Sequence, residues 1–216
     1  MKIRDIIEKE KDFALLCSLD TDSSNQTSYL FYDKEAILSD RDYQSHSKFF
    51  QAIEAYLKTG HMLCGFFNYE FSYNYHPNLK FTSFKDTEDN LALFGVFKKM
   101  KHLTKSDILE LSNLPEFKIK KDHVLERLNS PLDFKRYREK LENLKLFLEK
   151  GESYQVNFTF PLKYRWPYND MALFLNVLRE QPVGYAAYMS LENERILSFS
   201  PELFFQKKAR KSSQNL

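Results

Sequence analysis

At Gly151 the apolar repeat of this chain changes period. Before it, Phe134, Tyr137, Leu141, Leu144 and Leu148 recur at steps of three and four, which predicts an amphipathic helix with Asp133 as N-cap and Gly151 as terminator. After it, Tyr154, Val156, Phe158 and Phe160 alternate with Gln155, Asn157 and Thr159, which predicts a strand. One face of that strand can pack, and the other offers two amides and a hydroxyl. A helix passing directly into a two-faced strand confines the chain to folds that lay helices on a sheet.

The remaining pattern agrees. A helix is expected through Glu10, then a strand Phe13–Leu19, a polar loop Asp20–Thr27 and a strand Ser28–Asp33. Phe49, Phe50, Ile53, Tyr56 and Leu57 predict a helix over 45–58, which Thr59-Gly60 ends. Two buried strands follow, Met62–Glu70 and Leu91–Phe97, joined by a looser segment through Pro77 to Asn90. Lys98–Ser130, with Pro115 and Ser130-Pro131, reads as a connecting segment. Beyond Asp133 come the helix, the strand, a helix Asp170–Glu180 capped by Asn169 with a stripe of Leu173, Phe174 and Val177, and a hairpin. The hairpin joins Tyr185–Leu191 to Arg195–Ser200 through Glu192-Asn193-Glu194, and Leu203–Gln206 adds a last strand. This order predicts an α+β fold with a region 1–121, a second region 122–206 and a disordered basic tail 207–216.

With 43% hydrophobic and 16% aromatic residues, the chain can bury a core. Thirty-two basic residues against thirty acidic ones leave a formal charge of +2, so no overall field points to nucleic acid or to an anionic membrane. Tyr73–Tyr75 and Trp166 have no interleaved basic residues, which makes packing a better account of them than base stacking. No apolar run is long enough to span a bilayer. Cys17 and Cys64 read as reduced thiols and no signal sequence opens the chain, which predicts a cytoplasmic protein. No phosphate-cradling glycine motif occurs, and His46, His61, His76, His102 and His123 are scattered without metal-ligand spacing.

Ser198-Phe199-Ser200-Pro201-Glu202-Leu203-Phe204 places a carboxylate between two apolar segments. Glu202 is either a strand-edge residue facing water or a group whose charge needs a partner, as in a general acid or base. Ser198 and Ser200, two apart, fall on one face of a regular strand.

Together, Gly151-x-x-Tyr154-Gln155-Val156-Asn157-x-Thr159 and Ser200-Pro201-Glu202-x-Phe204 resemble the paired signatures of the chorismate-utilising enzymes, most closely component I of aminodeoxychorismate synthase. Gly65-x-x-x-Tyr69-Glu70 followed by Leu91-Ala92-Leu93-Phe94 is similar to the amino-terminal portion of the same family. The resemblance implies an α/β/α sandwich of which this chain is the truncated amino-terminal part. It implies that Asn157, with Gln155 and Ser200, contacts chorismate and that Glu202 assists proton transfer as the ring hydroxyl leaves. Asn157 favours the aminodeoxychorismate branch, since anthranilate synthases resemble this stretch but read Gln-Val-Val there. It further implies ammonia from a glutamine amidotransferase partner and magnesium as cofactor. The family's Lys-Gly-Thr segment and the magnesium-binding glutamates do not follow Glu202, where the basic tail stands instead. The expectation is therefore an inactive, truncated chain with an uncovered sheet edge. The alternatives are a non-catalytic remnant or docking module, or an anthranilate synthase component I-like fragment.

Overall fold

The computed structural model describes residues 2–19, 27–75, 90–128 and 132–207. Most of the polar loop after Leu19, most of the segment before Asn90, His76, Ser130-Pro131 and the tail beyond Lys207 lie outside the described residues. The elements in chain order are α1 (Ile3–Lys9), β1 (Phe13–Cys17), β2 (Ser28–Ser39), α2 (His46–Lys58), β3 (Met62–Phe67), β4 (Ala92–Leu103), α3 (Lys105–Asn113), β5 (Glu126–Arg127), α4 (Phe134–Glu149), β6 (Tyr164–Arg165), α5 (Asp170–Glu180), β7 (Tyr185–Leu191) and β8 (Glu194–Ser200). The mixture is α+β, as expected. Packing forms two compact units, one of Met1–Lys118 with Met171–Leu216 and one of Ile119–Asp170. This partition differs from a division at Lys121, because β7 pairs with β1 and returns the final hairpin to the first sheet.

In the larger unit one antiparallel sheet runs β3-β4-β2-β1-β7-β8. Its curl follows from one contact: Cys64 Sγ on β3 lies 3.8 Å from Met189 Sδ on β7. Four strand places in a flat sheet would separate them by roughly 19 Å. The curl buries Leu93 and Phe97 of β4 with Met189 and Leu191 of β7. Gly95 permits this approach, since a Cβ there would lie 2.6 Å from the Phe97 ring and 2.8 Å from Leu191. A second core holds Ile6 of α1, Ile108 and Leu111 of α3 and Phe174, Leu175 and Leu178 of α5 against the sheet. The buried stripe of α5 is rotated from the sequence expectation: Met171, Phe174, Leu175 and Leu178 are buried, while Leu173 and Val177 flank them half-buried. A third core sets Phe49 of α2 against Leu38, Phe71, Ala92 and Val96.

Helix termini follow local chemistry. Ser45 Oγ accepts the Lys48 N–H at the start of α2, and Gly60, with φ 85°, follows its end. The connecting segment expected over Lys98–Ser130 is only partly one. β4 continues to Leu103, and Thr104 and Asp107 form a reciprocal capping box that starts α3. β2 also outruns its expected end at Asp33: Asp33 takes φ 60° and Glu35 is the extra residue of a bulge against β4. Leu203–Gln206 is not a strand.

In the smaller unit α4 forms as expected, with Asp133 accepting the Arg136 N–H and Gly151 at φ 72° after its end. The strand predicted over Gly151–Phe160 does not form. A strand needs a neighbour to take its backbone hydrogen bonds, and among the described residues none pairs with this stretch. Part of the two-faced pattern persists without it. Phe158 and Phe160 pack on the Tyr137 ring at 5.7 and 5.8 Å, whereas Tyr154 is 96% exposed. β5 and β6 form a short ladder, and Trp166 and Tyr168 pack their rings on His123 rather than offering a stacking platform.

Candidate functional site

A cavity of about 340 Å³ opens on the larger unit beside the ends of β1, β7 and β8 that lie away from the β7–β8 turn. Strand register builds it. Ser198 lies opposite Ala187 and Ser200 opposite Tyr185, while Leu16 and Cys17 of β1 face Ala187 and Ala186. Ser198 and Ser200 both line the cavity, as their spacing predicts. Thr27, Tyr29, Leu203 and Phe204 complete the wall with Glu202.

Ser200 ends β8 in a local turn. Its hydroxyl donates to the Glu202 carbonyl at 3.0 Å and accepts the Glu202 N–H at 3.3 Å. Pro201, lacking an N–H, cannot extend the ladder. Glu202 is thereby set at the rim and exposed. It does not lie between two strands, because Leu203–Gln206 makes no ladder. Leu203, Phe204 and Phe205 are exposed beyond it.

Cys17 is buried in the cavity wall, and desolvation pushes its thiol well above the ordinary range. It is a neutral, apolar part of the lining and not a nucleophile. The cavity thus offers an apolar floor, hydroxyls and one carboxylate, which suits a small ring bearing hydroxyl groups. The described lining residues include no lysine or arginine, so this cavity alone does not neutralise a dicarboxylate.

Gln155 and Asn157 lie on the smaller unit, both exposed. Gln155 is held locally, its carbonyl accepting from Ser153 Oγ at 2.8 Å. The structure therefore brings Ser200 and Glu202 together in one unit and Gln155 and Asn157 along one stretch of the other. Cys17, Tyr29 and Tyr185 join the lining through strand register, which no local motif carries. Among the described residues no group of three His, Cys, Asp or Glu side chains converges to hold a metal ion. Among them, too, no helix is long and apolar enough to cross a membrane.

The model of the chorismate binding enzyme family matches residues 15–214, a span that includes the cavity and both motifs. This chain belongs to the chorismate binding enzyme family. No curated protein matches it.

Proposed function

We propose that this chain is of the aminodeoxychorismate synthase component I type and recognises chorismate without aminating it unaided. The observation that carries the reading is the cavity in which Ser198, Ser200 and Glu202 converge, within a span matched throughout by the family. Ser200 offers a hydroxyl to the ring substituents, and Glu202 in its acid form would give its proton to the departing ring hydroxyl, which leaves as water. Asn157, in the Tyr-Gln-Val-Asn stretch with Gln155, favours the aminodeoxychorismate branch over anthranilate. Turnover needs an activated nucleophile as well as a proton-transfer group, and Glu202 is only the latter. Ammonia for the intact reaction would come from a glutamine amidotransferase partner. Reduced, buried Cys17 and Cys64 suit a cytoplasmic setting.

The test is calorimetric titration of the full chain with chorismate, alongside product chromatography after incubation with chorismate, ammonia and magnesium. Saturable binding, weakened in Ser200→Ala, with no product above a no-protein blank is expected. Absence of binding would overturn the recognition, and any product above the blank would overturn the lack of turnover. Anthranilate as that product would also overturn the branch.

A further inference from the structure

Among the described residues, two other than glycine take a left-handed backbone: Asp33 at φ 60° and Glu192 at φ 52°. They belong to distant parts of the chain, the bulge of β2 and the β7–β8 turn. Each costs roughly 1–2 kcal/mol relative to an ordinary conformation, so each needs something to hold it. Glu192 itself and Lys34, the neighbour of Asp33, meet the same carboxylate.

Asp12 stands just before β1 and is 5% exposed. Its Oδ1 accepts the Glu192 N–H at 2.5 Å, and its Oδ2 pairs with the ammonium of Lys34, the residue after Asp33, also at 2.5 Å. The β1–β7 ladder ends at Phe13 opposite Ser190, so the Asp12 side chain continues it by one bond into the turn. Ser190 Oγ donates to the Lys11 carbonyl beside it. On its far side the bulge is tied to β4, where Asp33 pairs with Lys99 and Glu35 with Lys98. A continuous chain of contacts therefore runs from the turn through one carboxylate and the bulge to β4.

We propose that Asp12 is a conformational latch: its two oxygens hold the β2 bulge and the β7–β8 turn in their left-handed conformations jointly, and the two segments open as one. A buried charge that loses one partner destabilises what remains around it, so disturbance at either end reaches the other. The hairpin anchored in this way is the one that carries Ser198 and Ser200.

Hydrogen exchange on the full chain, read peptide by peptide, tests this without chorismate, so its outcome is separable from the functional reading. Lys34→Met removes a group that does not touch the turn. It is nevertheless expected to speed exchange by about tenfold at 191–194 as well as at 33–36, with α2 unchanged. Asp12→Asn should speed both segments similarly. Acceleration at the bulge alone in Lys34→Met, or at the turn alone in Asp12→Asn, would overturn the latch. Glu192→Gly, which takes the left-handed backbone without a Cβ, is a milder background should either variant fail to fold. There Lys34→Met should speed the bulge by about tenfold and the turn less than about threefold. Equal acceleration of the turn in both backgrounds would overturn the proposal too.

Discussion

Three glycines of the larger unit should respond in a fixed order when each is replaced by alanine. A Cβ at Gly65 in β3 would lie 2.1 Å from the Leu93 carbonyl oxygen and 2.7 Å from Phe94 Cα, both backbone atoms of β4. Ordinary contact begins near 3.4 Å, so the strands must part by about 1.3 Å across a register of six residue pairs. No rotamer change relieves a backbone clash, and Gly65→Ala should exceed the usual overpacking cost, at about 3 kcal/mol or more. At Gly95 the obstacles are the Phe97 ring and Leu191 Cδ2, side chains that can yield, which suggests about 1–3 kcal/mol. Gly60 has φ 85° with nothing within 4 Å of a new Cβ, so Gly60→Ala should cost only the left-handed penalty of about 1 kcal/mol. Urea unfolding followed by far-ultraviolet circular dichroism measures the order, since Trp166 belongs to the smaller unit and would report on that unit instead. A Gly60→Ala variant as destabilised as Gly65→Ala would refute the claim that close strand approach is what requires glycine at 65.

Phe174→Ala empties a fully buried site between α5 and the sheet and should cost about 3–5 kcal/mol, checked by the same unfolding experiment. Desolvation pushes the Cys64 thiol up to about 12 and Cys17 higher. Neither should react with a disulfide reagent at about pH 8 until urea unfolds the chain, and rapid native-state labelling would contradict their burial. Hydrogen bonds from Lys99 and Lys98, reinforced by their charges, hold Asp33 and Glu35 below the usual carboxylate range. A depressed folded pKa stabilises the fold above the unfolded pKa, and that contribution is lost as pH falls through the folded value. The Lys98→Met/Lys99→Met variant should therefore show a shallower fall of Tm on acidification from about pH 7 to about pH 3, and high salt should narrow the difference, because these groups are exposed.

What was legible in the sequence was what local chemistry decides. The span of α5, the extent of β7 and the start of α4 at Asp133 follow from apolar period and capping, both contained in a few residues. The start of α3 was equally local. Thr104-x-x-Asp107 ahead of Ile108 and Leu111 is a capping box before an apolar stripe, masked by the lysines around it. The failure at Gly151–Phe160 is of another kind: alternation says which side chains share a face, but it does not supply the neighbour that makes a strand. For the candidate site, the shared face of Ser198 and Ser200 could be read from their spacing. Cys17, Tyr29 and Tyr185 could not, because they arrive through the pairing of β1, β2, β7 and β8.

The bulge of β2 shows what long-range pairing adds. Asp33-Lys34-Glu35 puts three charges in succession inside a strand, a pattern that ordinarily marks its end. Here each charge meets its opposite: Asp33 meets Lys99, Glu35 meets Lys98, and Lys34 meets Asp12. Past the paired triplet, β2 continues to Ser39 and delivers Leu38 to the core beneath Phe49. The end of β2 is also tied by Asp40, whose carboxylate accepts the N–H groups of Leu91 and Ala92 as β4 begins. Both devices draw on residues far along the chain. The second half of β2 is thus tied by ion pairs and hydrogen bonds that no short window of sequence contains.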